Sequence, residues 1–223
     1  MARYRFSILA VGFCLFLSLQ QISSQAADEP KQTPENTITV QLAAPVKPQT
    51  FPRPVKFFVH DVIDRTGDPD PMLLYRGAST FFGHEFGVSG VYFDREPKIV
   101  VREALEDSLR AAGMLAPDEA AADYLLTVYL FHFGVAGSEA GLYAKVELNI
   151  EVKNPRAGRS EQVTALGTAF EPARVKKEKK KPSWVTKMEA TLRDALTAAL
   201  QNFLRSGKLR EALDTLAAPS TQR

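Results

Sequence analysis

The sequence predicts an α+β two-layer sandwich: a mainly antiparallel sheet with helices on one face, in the order β-α-β-β-β-α. Three observations predict it. Ala144, Val146, Leu148, Ile150 and Val152 alternate with Lys145, Glu147, Asn149, Glu151 and Lys153, the pattern of a strand with one buried and one wet face. Met188, Leu192, Ala195, Leu196, Ala199 and Phe203 recur at helical spacing and form the apolar stripe of a long helix. Strands arrive in a run flanked by helical patterns, which implies an α+β sandwich.

Taken in order, residues 1–26 read as a signal peptide. Arg3 and Arg5 precede an apolar run of 13 residues, Ser7 to Leu19, and small residues stand at Ser24 and Ala26. That run is short for a bilayer span, which needs about 20 residues. Cleavage is expected after Ala26, a retained anchor being the alternative. Cys14 lies inside the apolar run after Phe13, so a lipid anchor on it is not expected. Removal takes two arginines and no acid from a chain with 28 bases and 26 acids, leaving the formal charge at zero.

Residues 27–52 carry Pro30, Pro34, Pro45, Pro48 and Pro52 and predict an extended tether with one short strand at Ile38–Leu42. A single domain is expected over 53–217, with a tail at 218–223. Val55–Ile63 is the first strand, stopped by the turn chemistry of Asp64-Arg65-Thr66-Gly67. Residues 64–93 hold seven Gly or Pro and predict a long loop with one short strand at 86–93. Pro97 opens a helix whose inner face is Val101, Leu105, Leu109 and Ala112, with Gly113 as its stop. Residues 123–133 are apolar on both faces, so that strand is central. Asn154–Gly158 is a turn, 162–170 a fourth strand, Ser183 the cap of the long helix and 208–216 a short last helix.

Composition excludes several classes of function. A chain that is 45% hydrophobic and 24% charged is globular. A formal charge of +2 provides no reason for nucleic-acid binding. A single Cys, itself in the signal segment, excludes thiol catalysis and a disulfide framework. His60, His84 and His132 stand on three different elements without ligand spacing, so ordinary histidines are expected and no metal. Asp61, Asp64, Asp68 and Asp70 gather around one turn without the late Glu of a calcium loop. Gly87-Val88-Ser89-Gly90 has the wrong spacing for a nucleophile elbow, and the loop glycines lack a following Lys-Ser or Lys-Thr for phosphate. No catalytic residue and no cofactor is expected.

Two stretches are candidates for binding. Tyr75, Phe81, Phe82, Phe86 and Tyr92 are interleaved with glycines over 75–93, either as a recognition surface or as a plug for the open end of the core. Lys176, Lys177, Lys179, Lys180 and Lys181 form either a contact with anionic lipid headgroups or a solvated loop that discourages sheet-to-sheet association.

The strand Val55–Ile63 with Asp64-Arg65, the Gly-rich loop, a helix ending in Ala111-Ala112-Gly113, then Ala122-Asp123-Tyr124-Leu125-Leu126 and two further strands resembles the YajG-like family of bacterial envelope lipoproteins. More loosely it is similar to the curli-secretion lipoprotein, the TolB N-terminal domain and auxiliary lipoproteins of ABC transporters. The resemblance covers about 55–205, and its motifs are structural. It implies a periplasmic cell-envelope protein with no catalytic residues to carry over; the missing acylation Cys departs from it. The resulting expectation is a non-enzymatic accessory protein whose partner is an unidentified envelope protein, with a peripheral membrane contact and no nucleic acid. The alternative is a lipid- or amphiphile-binding auxiliary component of an envelope transport system.

Overall fold

The structure, a computed structural model, describes residues 37–76, 80–81, 84–85, 90–138, 140–172 and 184–218. The signal segment, Phe82, Phe86 and the lysine run fall outside the described residues. In chain order the elements are β1 (Thr37–Ile38), β2 (Phe57–Asp64), β3 (Leu73–Arg76), β4 (Thr80–Phe81), β5 (His84–Glu85), β6 (Gly90–Phe93), α1 (Pro97–Ala111), β7 (Tyr124–Ser138), β8 (Gly141–Asn154), β9 (Arg159–Pro172), α2 (Trp184–Leu204) and α3 (Gly207–Ala217).

The main sheet has the order β2-β7-β8-β9, with β2 parallel to β7 and the other pairs antiparallel. The expected α+β class and helix-covered sheet are what the structure shows. Alternation is strict in β8, where Leu142, Ala144, Val146, Leu148, Ile150 and Val152 are all fully buried. Helix α1 packs on β2, whereas α2 and α3 pack on β8 and β9. The stripe of α2 includes Met188, Leu192, Leu196, Leu200 and Phe203, none with any exposure. Each such side chain contributes about 1.5–3 kcal/mol of burial. Pro97 starts α1 as expected, and Ser206 caps α3 by accepting from the Leu209 amide.

Helix α2 lies so close to β9 because the facing residues are small. Gly167 opposes Ala195 and Ala199; a Cβ on it would stand 1.9 Å from the Ala195 carbonyl oxygen. Glycine is the residue that permits this approach.

Two regions differ from the sequence expectation. The stretch 37–52 is not a loose tether but lies against the domain. Ile38, Val40 and Val46 are buried, the Val46 amide donates to the Ser108 hydroxyl at 3.0 Å, and the Gln49 amide donates to the Leu204 carbonyl at 2.9 Å. Proline supplies no amide of its own, and here neighbouring residues tie the segment down instead. The region 64–93, expected as a long loop with one short strand at 86–93, holds that strand as β6 and further strands before it. It contributes β3 and β6, which with β1 make a second sheet of order β1-β6-β3, and β4 pairs with β5 as a small hairpin.

Candidate functional site

The strands also differ in what covers their outer edges. β2 is protected. Its Phe57 exchanges hydrogen bonds with Met114 and Ala116, Arg102 donates to the carbonyls of Val59 and His60, and a bulge interrupts the strand at His60. Bulges and side-chain caps of this kind keep an edge from pairing. β9, 14 residues long, forms the other edge. Arg159 pairs with Asn154 across the hairpin turn, so the odd-numbered backbone groups of β9 face β8 and the even-numbered ones face outward. Pro172, which has no amide, falls on the outward set. Among the described residues Asn202 caps this edge, its side-chain amide donating to the Leu166 carbonyl.

The sheet face away from the helices carries an apolar end. Phe131, Tyr143, Leu166 and Phe170 are 47, 45, 44 and 55% exposed. Tyr143 and Phe170 stand directly opposite each other across β8 and β9. Phe131 occupies the bulge of β7 between Leu130 and His132. The alternation of Leu166 and Phe170 with inward-facing Ala165, Gly167 and Ala169 was a readable sign of this patch: two large apolar residues share a face with Ser160, Gln162, Thr164 and Thr168.

β7 runs beyond the end of β2, which stops at the pair Asp64 and Leu130. The space beside that extension is a cleft of about 390 Å³. Leu73, Leu74, Phe93, Phe133 and Val135 form its apolar wall, with Asp64, Asp68, His132 and Lys145 among its polar groups. The Phe93 and Phe133 rings meet there with centroids 5.5 Å apart. Asp64 is held by bonds from the Thr66 amide and hydroxyl, and Lys145 pairs with Glu147 at 2.6 Å. Desolvation at the cleft wall, with nearby Lys145 adding to it, lowers the His132 pKa below its ordinary value.

Of the aromatic candidates, Tyr75 lies on β3 and Phe81 on β4. Tyr92 lies on β6 and is buried, 9% exposed, so its ring belongs to the core and not to a surface. That strand pairs on both sides, which the glycine-rich sequence around it did not announce. The strands that carry His60 and His132, β2 and β7, are neighbours in the sheet, but the two residues are not paired: the first sits in the bulge of β2 and pairs with Glu119 at 3.5 Å, the second lies opposite Glu147 on β8. Among the described residues no group of three His, Cys, Asp or Glu side chains is placed to hold a metal ion. No helix among them is long and apolar enough to cross a membrane.

No family model matches the chain, and no curated protein matches it. Solved structures do. Protein XCC0632 from Xanthomonas campestris, of family DUF330, is similar at 14% identity, covering 80% of this chain and 97% of that one, with a TM-score of 0.56. A PelC dodecamer from Paraburkholderia phytofirmans is similar at 15% identity over 72% of this chain and 96% of that one, TM-score 0.39. Lipoprotein GNA1162 from Neisseria meningitidis is similar at 15% identity over 61% and 93%, TM-score 0.27. At these identities the first likeness speaks for the fold alone, and the two lower scores carry nothing further. The likeness to the DUF330 protein agrees with the expected fold and does not point to the YajG-like family in particular.

Proposed function

We propose that this chain is a non-enzymatic accessory protein of the bacterial cell envelope, exported by its signal segment, that acts by holding another protein. The observation that carries this reading is the contrast between the two sheet edges. One is closed by a bulge, a backbone bridge and Arg102; the other runs for 14 residues with, among the described residues, a single side-chain cap. Six outward positions, from Ser160 to Phe170, present backbone groups to an added strand. An extended segment that pairs there gains main-chain hydrogen bonds, the mode of strand addition. The partner is therefore an envelope protein that offers an extended segment. The aromatic loop, through Tyr75, Phe81, Phe82 and Phe86, is a second proposed contact.

The cleft beside β7 favours a second reading, an auxiliary component that binds an amphiphile. Its size falls within the range of small-molecule sites, and an apolar wall with a few polar groups suits a molecule with a tail and a head. One comparison separates the two. The exported chain is purified without detergent, extracted with organic solvent, and in parallel crosslinked in intact envelopes. Protein holding predicts an empty extract and a crosslinked protein at the β9 edge. A stoichiometric extracted lipid, with no crosslink, overturns it in favour of the cleft.

A further inference from the structure

Where the β8–β9 turn, the start of β7, residues 51–55 and the last turns of α3 converge, a further cleft measures about 680 Å³. We propose that this cleft binds a short zwitterionic peptide with apolar side chains, its carboxylate held by Arg53 and Arg156 and its ammonium group by Asp123 and Asp214. The proposal rests neither on the protein-holding reading nor on the cleft beside β7.

Separate segments supply the walls, and each is tied in place. The Asn154 side-chain oxygen accepts from the amides of Arg156 and Ala157 at 3.0 and 3.1 Å, which fixes the turn that carries Arg156. The Asn154 side-chain amide donates to the Leu216 carbonyl, and Arg159 donates to the carbonyls of Thr215, Leu216 and Ala218. The end of α3 is thereby bound to the same hairpin. Arg210 on α3 donates to the Thr50 carbonyl at 3.0 Å, and Asp123 accepts from the Lys56 amide at 2.9 Å, so 51–55 is held at both ends. Walls fixed in this way lose little freedom when a ligand enters.

The charges of the cleft are not spent on one another. Arg53, Arg156 and Asp214 are exposed, and among the described residues none of them forms an ion pair. Guanidinium and carboxylate groups therefore stand more than 4.0 Å apart here. A ligand that carries both charges at a similar separation meets both; two extended residues span about 7 Å. Tyr124 marks the acidic side. Its ring is 9% exposed and packs near Phe57 with centroids 6.0 Å apart, while its hydroxyl has no hydrogen-bond partner among the described residues. Burial, then the charges of Asp123 and Asp214, raise its pKa above the ordinary value, so the hydroxyl stays protonated with both carboxylates in electrostatic reach. The apolar lining alternates with the charges: Arg53 stands between Pro52 and Pro54, and Asp214 next to Leu213. A peptide carries apolar side chains between its charged ends, whereas a phospholipid carries its chains beyond the anionic one. The volume falls within the range of small-molecule sites.

The test is calorimetric titration of the exported full chain with the dipeptide leucyl-phenylalanine, its N-acetyl form and its C-terminal amide. The free dipeptide should bind with a Kd of about 1 mM or tighter. Loss of either terminal charge should weaken binding at least about tenfold. Arg53→Gln with Arg156→Gln should weaken the free dipeptide by a similar factor and leave the affinity of the amide unchanged, because the carboxylate they hold is already absent. Asp214→Asn should weaken the free dipeptide and leave the N-acetyl form unchanged. These positions are exposed, so the variants should melt with the parent. Should one melt lower, amide shifts of the parent decide: the dipeptide should move those of Val55, Arg156 and Asp214 and leave those of His132 and Phe133. No binding, equal binding of the capped forms, equal losses for free and capped peptides in the variants, or shifts elsewhere overturns the proposal. So does tighter binding of glycerophosphoethanolamine than of the dipeptide, which would assign the cleft to a lipid headgroup.

Discussion

Replacing Gly167 by Ala tests the packing on which the whole sandwich depends. The added Cβ would stand 1.9 Å from the Ala195 carbonyl oxygen, 2.3 Å from the Ala199 amide nitrogen and 2.9 Å from the Ala199 Cβ. Two of these are backbone atoms and cannot rotate away. To bring the first contact to 3.0 Å, α2 or β9 must move by about 1.1 Å. A gap of 0.5–1 Å forfeits about a quarter to a half of the dispersion energy of the contacts it opens. Those contacts include fully buried Leu192, Leu196 and Ala199 above Val163 and Ala165. A destabilisation of about 3 kcal/mol or more is expected, at the upper end of overpacking. For a domain of this size that lowers the melting temperature by roughly 6–12 °C. The assay is thermal unfolding followed by circular dichroism, with Thr168→Ser on the open face as control. The control should change stability by less than about 0.5 kcal/mol. If Gly167→Ala melts with the control, α2 does not approach β9 as described.

Three further outcomes follow from the same structure. Leu148→Ala should cost about 2–5 kcal/mol and Glu147→Ala beside it under about 1 kcal/mol, read from denaturant midpoints; equal losses would reverse the assigned faces of β8. Ser108 is fully buried, donates to the Ala104 carbonyl at 2.8 Å and accepts from Val46. Ser108→Ala leaves the Val46 amide unpaired, costs about 1–3 kcal/mol and speeds hydrogen exchange at Val46; unchanged exchange there would detach the 37–52 segment from α1. His132 has a folded pKa below its unfolded value of about 6.5. The unfolded chain therefore binds more protons between the two pKa values, and stability rises with pH across that window. Its contribution is complete above about 6.5 and lost as pH falls through the window. His132→Gln should flatten the profile there, and a profile identical to the parent's would remove the histidine from it.

Periodicity carried the parts of this fold that have two chemically distinct faces. The alternation in 143–153 and the stripe from Met188 to Phe203 appear in β8 and α2 as read. The doubly apolar run at 123–133 became the central strand β7, with Leu125 on one face and Leu126 on the other. What sequence missed depends on tertiary partners. Nothing local to Val46 says that its amide meets Ser108, 62 residues later. The short strand expected at 86–93 is β6, but Pro and Gly between Asp64 and Arg76 read as loop because β3 is short and is held by pairing with β6, itself paired with β1, rather than by its own propensity. Whether Tyr92 lies on a surface or plugs the core was open in the sequence for the same reason; its burial decides for the core. The patch at Leu166 and Phe170 was visible in principle, but in isolation an apolar residue on a wet face gives no partner. The difference between the β2 and β9 edges was not visible at all, since it arises from strand order, a bulge and Arg102.

Strand addition at β9 is tested most directly by removing one outward amide. Thr164 lies on the outward set, so Thr164→Pro deletes a donor that a partner strand would use and leaves the ladder to β8 intact. The variant and its parent carry a photo-crosslinker at Gln162 in intact envelopes, with melting temperatures measured on both. The account predicts a crosslinked protein for the parent, its loss in Thr164→Pro, and a variant that still unfolds cooperatively. The same crosslink from a folded Thr164→Pro variant, or none from the parent, would contradict it.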